Sequence, residues 1–168
     1  MNLPTKEDDL KTKKDERKCA DVMTKEPVCC LPSDTAVKAA RLMRDSDVGP
    51  IPVVENEQTK RLVGIVTDRD LALKVVAEGR DPNAVKVEEV MTREPATCRA
   101  EDELQKAVRL MAERQLRRIP VVDEGGKIVG IIAQADVATK TEAPEKTASV
   151  VEEISKPRAA AAGEGSRQ

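Results

Sequence analysis

Two hydrophobic rhythms alternate along this chain. Ala36, Val37, Ala40, Leu42 and Met43 recur at helical spacing, and Leu104, Ala107, Val108, Leu110 and Met111 repeat the stripe further on. Ser33 or Asp34 stands where the first helix needs a cap, and Glu101 and Asp102 precede the second. Each helix is followed by short uninterrupted apolar runs, "IPVV" at 51–54 and 119–122, then "LVGIV" at 62–66 and "IVGII" at 128–132. Such runs, rich in Val and Ile and bounded by turn residues, predict buried strands. The connection is "ENEQTKR" in one place and "DEGGK" in the other, where Gly125 and Gly126 offer the positive φ a tight hairpin needs. Proline-led "PVCC" and "PATC" predict a short extended segment ahead of each helix, and a second helix is expected from Asp68 to about Glu78 and from Gln134 to about Lys140.

The pattern is therefore β-α-β-β-α, written twice. "DVMTKEPVCCLPSDTAVKAARLM" (21–43) aligns with "EVMTREPATCRAEDELQKAVRLM" (89–111), and "LVGIVTDRD" with "IVGIIAQAD". One copy of roughly 50 residues buries too little apolar surface to stand alone, so an α/β fold of two units packed as a pseudo-two-fold pair is expected. Gly64 and Gly130 interrupt their strands, which predicts close approach of another backbone or a ligand. Gly79 and Pro82 end the first unit's last helix. The expected organisation is an arm at 1–18, a first unit at 19–80, a linker at 81–88, a second unit at 89–156 and a low-complexity tail at 157–168. Within the second unit, Ser149 with Val150, Val151 and Ile154 would form a closing helix.

Composition narrows the chemistry. Lys and Arg total 29 against 31 Asp and Glu, a near balance that gives no global attraction for nucleic acid or an anionic membrane. Phe, Trp, Tyr and His are all absent, which removes base-stacking rings and any imidazole base. The charged N-terminus lacks the apolar stretch of a secretory signal, and no run approaches membrane-spanning length, so a cytoplasmic protein is the expectation. Cys19, Cys29, Cys30 and Cys98 form no CxxC pair and read as free thiols packed in a reducing compartment; no metal site is expected. A Walker loop is also missing, and no nucleophile has an adjacent base, so catalysis is not expected.

One motif has ligand chemistry. Thr67 and Asp70 lie where a strand feeds a helix, so unpaired N–H groups, the Thr67 hydroxyl and Arg69 could hold a phosphate while Asp70 accepts from a ribose. The same spacing also describes a helix-capping pair. The second copy keeps Asp136 but has Ala133 in place of the threonine, which modestly favours a separate task for the acid.

The doubled "VMT.EP", "IPVV" and "VGI" with "TDRD" or "AQAD" resembles a CBS-domain pair, or Bateman module, over about residues 20 to 156. The resemblance implies head-to-head units, often a homodimer, and an adenosine-containing ligand (AMP, ADP, ATP or S-adenosylmethionine) as a regulatory ligand, with no required cofactor. It also implies clefts that draw on both units. One would combine Asp136, Arg117 and Arg118 with Thr24, Val28, Cys29, Val48 and Gly49; the other would combine Thr67, Arg69 and Asp70 with Thr92, Ala96 and Thr97. The adenine would lie between aliphatic side chains, and the two sites would differ in affinity. The stand-alone form implies a regulatory module with an unknown protein partner; a ligand-free scaffold for self-association or docking is the other reading.

Overall fold

The computed structural model describes residues 17–140. The expected arm up to 16, the Ser149 helix and the 157–168 tail lie outside the described residues. In chain order the elements are α1 (Cys19–Val22), β1 (Thr24–Lys25), α2 (Ala36–Ser46), β2 (Pro50–Val54), β3 (Leu62–Thr67) and α3 (Asp68–Leu71), which runs on into a π-helical turn at Ala72–Val76. The second half repeats them as α4 (Val87–Val90), β4 (Thr92–Arg93), β5 (Cys98–Arg99), α5 (Leu104–Arg114), β6 (Arg118–Val122), β7 (Ile128–Ala133) and α6 (Gln134–Lys140).

Two sheets form, in the orders β1-β7-β6-β5 and β2-β3-β4. An isolated parallel bridge from Cys30 to Val53 occupies the place in the first unit that β5 occupies in the second. The two orders are thus one pattern used twice, and each sheet borrows a strand. β1 precedes the first unit but pairs with β7 of the second, Thr24 opposite Ile131; β4 precedes the second unit but pairs with β3 of the first, Thr92 opposite Ile65. Periodicity could not show this exchange, because two-residue strands leave no rhythm to read.

The cores follow the same exchange. Val85, Val87, Val90 and Met91 pack with Ala36, Ala39, Met43, Ile51 and Val66, while Cys19 and Val22 pack with Leu104, Ala107, Met111, Ile119 and Ile132. Backbone hydrogen bonds fix the crossing reciprocally: Cys19 N–H donates to Asp102 O at 3.0 Å and Val87 N–H to Asp34 O at 2.8 Å. The hairpin tips also join, Leu62 N–H to Gly126 O and Ile128 N–H to Lys60 O, both at 3.0 Å. Each fully buried Val, Leu or Ile contributes about 1.5–3 kcal/mol, so either leading segment is held by its host's core more than by its own two-residue ladder.

Gly64 and Gly130 mark where the borrowed strands cross. A Cβ at Gly64 would lie 2.6 Å from Met91 Sδ and 3.0 Å from Thr92 O; at Gly130, 2.5 Å from Met23 Sδ and 3.0 Å from Thr24 O. The close neighbour is the exchanged backbone with its methionine.

Local readings change in four places. Thr35, whose hydroxyl accepts from Lys38 N–H, caps α2. Asp34 instead staples the preceding turn through Leu31 N–H and pairs with Lys38 at 2.8 Å, and Asp102 does the same with Arg99 N–H and Lys106. The buried face of α2 is Ala36, Ala39 and Met43, with Ala40 exposed, because the helix begins at Ala36 and turns its stripe accordingly. In the second hairpin only Gly126 has positive φ; Asp123 Oδ1 accepts from the N–H groups of Gly125 and Lys127 and closes the turn. The other hairpin manages with Lys60 at φ 49° and an Asn56 side chain that accepts from the N–H groups of Gln58 and Thr59.

Candidate functional site

Each unit ends its central hairpin in a strand-to-helix turn that carries an acid. In the first, Pro50 of β2 pairs with Thr67 of β3, and Asp68 N–H donates to Gly49 O at 3.0 Å. In the second, Arg118 pairs with Ala133, and Gln134 N–H donates to Arg117 O at 2.9 Å. The turns at 48–50 and 117–118 therefore lie beside the acid-bearing turn of their own unit.

The first turn is a complete reciprocal cap. Thr67 Oγ1 accepts from Asp70 N–H at 3.1 Å, while Asp70 Oδ2 accepts from Thr67 N–H at 3.0 Å and from the Thr67 hydroxyl at 2.8 Å. Asp70 Oδ1 pairs with Lys74 Nζ at 2.8 Å, and that ammonium also donates to Val90 O at 2.6 Å. Lys74 escaped the sequence reading; an acid four residues before a lysine on a helix was its only signal. Arg69 is exposed at the same turn. Thr67→Ala is expected to lower stability by about 1 kcal/mol, measured by urea denaturation followed by far-ultraviolet circular dichroism.

The second turn keeps the half of the cap that needs no hydroxyl. Asp136 Oδ2 accepts from Ala133 N–H at 3.0 Å. The acid beside Ala133 thus keeps a backbone partner that needs no hydroxyl, so the comparison of the two turns does not by itself call for a separate task. Arg117 and Arg118 are both exposed at this turn.

The segments that pass between the units flank these turns. The first, from Glu26 to Cys29, leaves β7, where Glu26 N–H donates to Val129 O at 3.2 Å, and joins β2, where Cys30 N–H donates to Pro52 O at 3.1 Å. The second leaves β3 at Glu94, whose N–H donates to Val63 O at 3.4 Å, and joins β6 through Cys98. Glu26 and Glu94 turn these corners at φ 49° and φ 46°, each immediately before a proline. A left-handed residue there costs on the order of 1–3 kcal/mol, and the strain is repeated at the same place in both units.

This routing fixes the sheet beside which each residue expected at a cleft lies. Thr24 stays with the second unit, two positions along β7 from Ala133, and Thr92 stays with the first, two positions along β3 from Thr67. Val28 and Cys29 run parallel to β2 toward its Pro50 end, where Val48 and Gly49 also lie and where Pro50 pairs with Thr67. A Cβ on Gly49 would lie 3.4 Å from Asp68 Oδ2, which places that glycine against the first turn directly. Ala96 and Thr97 likewise run toward the Arg118 end of β6, on the Asp136 side. The chain changes sheet at Glu26 and Glu94, so residues ahead of each corner pair with the other unit's sheet and residues after it with their own. Val28 is 39% exposed, an apolar side chain open to solvent beside the first turn. Among the described residues, no group of three or more Cys, Asp or Glu is placed to hold a metal, and no helix is long and apolar enough to cross a membrane.

Two β-α-β-β-α units that exchange their leading strands about a pseudo-two-fold define a tandem-repeat module with a paired site. The family model for the CBS domain matches residues 19–77 and again 87–141, and the chain belongs to that family. It is 40% identical over 135 residues to the CBS domain-containing protein YhcV of Bacillus subtilis, covering 80% of this chain and 93% of that one. To protein MK0525 of Methanopyrus kandleri it is 36% identical over 125 residues, 74% of this chain and 62% of that longer protein. Among solved structures, the CBS domain pair of protein MJ0100 in complex with 5′-methylthioadenosine and S-adenosyl-L-methionine matches with TM-score 0.66 and 25% identity, over 74% of this chain and 94% of that one. CBSX2 in complex with AMP matches with TM-score 0.63 and 28% identity, over 73% and 94%.

Proposed function

We propose that this chain is a non-catalytic regulatory module that binds an adenosine-containing ligand at its acid-bearing turns, with Asp70 and Asp136 accepting from the ribose. The observation that carries the reading is the repeated assembly of an acid-bearing turn, a strained crossing segment and an apolar or small side chain (Val28 in one unit, Ala96 in the other) at the same place in both units. The complexes of MJ0100 and CBSX2 with adenosine compounds support it. In the absence of aromatic residues the adenine would rest on aliphatic surface, Val28 and Val48 at the first site. Thr67, Arg69 and Lys74 face the phosphates at the first site, Arg117 and Arg118 at the second, so the two differ in affinity. Ligand would shift the balance between arrangements of the two units, or of two copies in a homodimer, by its difference in affinity for them. A protein partner would read that shift in the cytoplasm.

The test is calorimetric titration with AMP, ADP, ATP and S-adenosylmethionine. At least one should give saturable heat, and Asp70→Asn or Asp136→Asn should weaken one site by about tenfold or more, the loss of one charge-assisted hydrogen bond. The absence of heat with all four up to millimolar concentration overturns the proposal. A second reading then takes its place, a ligand-free scaffold for self-association. It is favoured by the capping geometry itself, since Asp70 already accepts from Thr67 and pairs with Lys74. On that reading the asparagine variants lose stability only.

A further inference from the structure

The second core contains a pair of thiols that its twin lacks. Cys19 in α1 and Cys98 in β5 are 0% and 3% exposed and are neighbours in one buried cluster, where the Cys98 thiol donates to Pro120 O at 4.0 Å. Cys19 is anchored by its N–H to Asp102 O, and Ala20 by its N–H to Ala100 O at 2.9 Å, so α1 lies along the chain that leaves β5. The pseudo-two-fold supplies a control. Val87 N–H bonds Asp34 O as Cys19 N–H bonds Asp102 O, and Cys30 bridges Val53 as Cys98 pairs with Val121. The first core thus sets Val87 where the second sets Cys19, with a cysteine on the neighbouring strand in both. Packing is satisfied by valine and one thiol; a second thiol is an addition that packing does not require.

We propose that Cys19 and Cys98 form a reversible disulfide, a redox modification site that bolts the borrowed leading segment of the first unit to the sheet of the second. The oxidant class is a small-molecule disulfide of the glutathione kind. Cys19 sits in a four-residue helix tied to the chain after β5 by the Cys19 and Ala20 backbone bonds, and so short an element opens locally at a lower free-energy cost than the whole fold. In the open state the Cys19 thiolate attacks one sulfur of the small disulfide; its S–S bond breaks, and one small thiolate leaves and takes up a proton. The Cys98 thiolate then attacks the Cys19 sulfur of the mixed disulfide, forming the Cys19–Cys98 bond and expelling the second small thiol. The two protein thiols lose two electrons and two protons, and the small disulfide gains both. The neighbouring Cys19 thiol and then burial raise the pKa of Cys98, while the neighbouring Cys98 lowers that of Cys19, so Cys19 is the first of the pair to ionise.

The other cysteines serve as internal controls. Cys30 lies in the opposite core, where burial pushes its thiol up to about 12, and the Cys29 thiol donates to Pro27 O at 3.2 Å. Oxidised glutathione is added to the full chain, which is then denatured, treated with N-ethylmaleimide and mapped by mass spectrometry. Two of the four thiols should escape alkylation and appear as a Cys19–Cys98 linked peptide that dithiothreitol releases. The oxidised chain should melt about 5 °C or more above the reduced one, because the link closes a long loop of the unfolded chain. Cys19→Val copies Val87 of the first core and should fold normally while losing both the link and the shift, as should Cys98→Val. Full alkylation of all four thiols after oxidation, a link through Cys29 or Cys30, or glutathione left on Cys19 without closure overturns the proposal.

Discussion

Ile51→Ala and Ile119→Ala will each destabilise the protein by about 2–5 kcal/mol, and both will move one and the same unfolding transition. The two isoleucines are pseudo-two-fold partners, 0% exposed at the second position of β2 and of β6, opposite Val66 and Ile132. Each truncation leaves a cavity in a different core. If the units were independent, one variant would unfold its own half early and urea denaturation would show two steps. The exchange forbids that. The first core loses Val85, Val87, Val90 and Met91 if the second unit's leading segment detaches, and the second loses Cys19 and Val22 in the reciprocal case. Paired hairpin tips add a further bond in each direction. The expected result, followed by far-ultraviolet circular dichroism, is a single transition whose midpoint falls in both variants while its slope is unchanged. Separate steps in either variant refute the shared stability.

The duplicated β-α-β-β-α pattern was legible because long apolar stripes and Val- and Ile-rich runs leave a periodic signal. Positions 51–54, 62–66, 119–122 and 128–132 all fall within strands, each of which extends one residue further. The glycines in β3 and β7 were legible for the same reason, since a gap in an otherwise apolar strand has few causes. The exchange of leading strands was not, because it rests on Thr24–Lys25 and Thr92–Arg93, two residues each, whose pairing is decided by distant backbone. At the site, the two acids were findable from the motif, while Arg117, Arg118 and Gly49 came from the resemblance, and the contact of Gly49 with Asp68 shows only in the hairpin register. Which sheet Val28, Cys29, Ala96 and Thr97 run beside depends on where the chain changes sheets, and that corner is a glutamate in a left-handed conformation before proline, a choice no residue preference would suggest. Thr35 as the α2 cap was missed because Ser33, Asp34 and Thr35 are all capping residues, and only the start of the helix selects among them.

Gly130→Val is expected to cost about 1–3 kcal/mol, and more than Val at an ordinary exposed strand position, because it strikes the seam of the exchange. The added carbon meets Met23 Sδ at 2.5 Å and Thr24 O at 3.0 Å. A methionine chain can swing aside, but the carbonyl belongs to the backbone of β1, so β1 must shift away from β7 and carry Val22 and Cys19 with it. Gly64→Val should act alike through Met91 and Thr92 O. Two measurements separate this from plain overpacking. Hydrogen exchange should quicken at the amides of Cys19, Ala20 and Met23 in Gly130→Val, and at those of Val87, Glu88 and Met91 in Gly64→Val, each in the segment borrowed from the other unit. Met23→Ala in the Gly130→Val background should recover part of the loss, giving a coupling of about 0.5–3 kcal/mol in a double-mutant cycle. Additive losses, or faster exchange confined to β7 and β6, would mean that the glycines answer to their own sheets and that the borrowed strands are not gripped there.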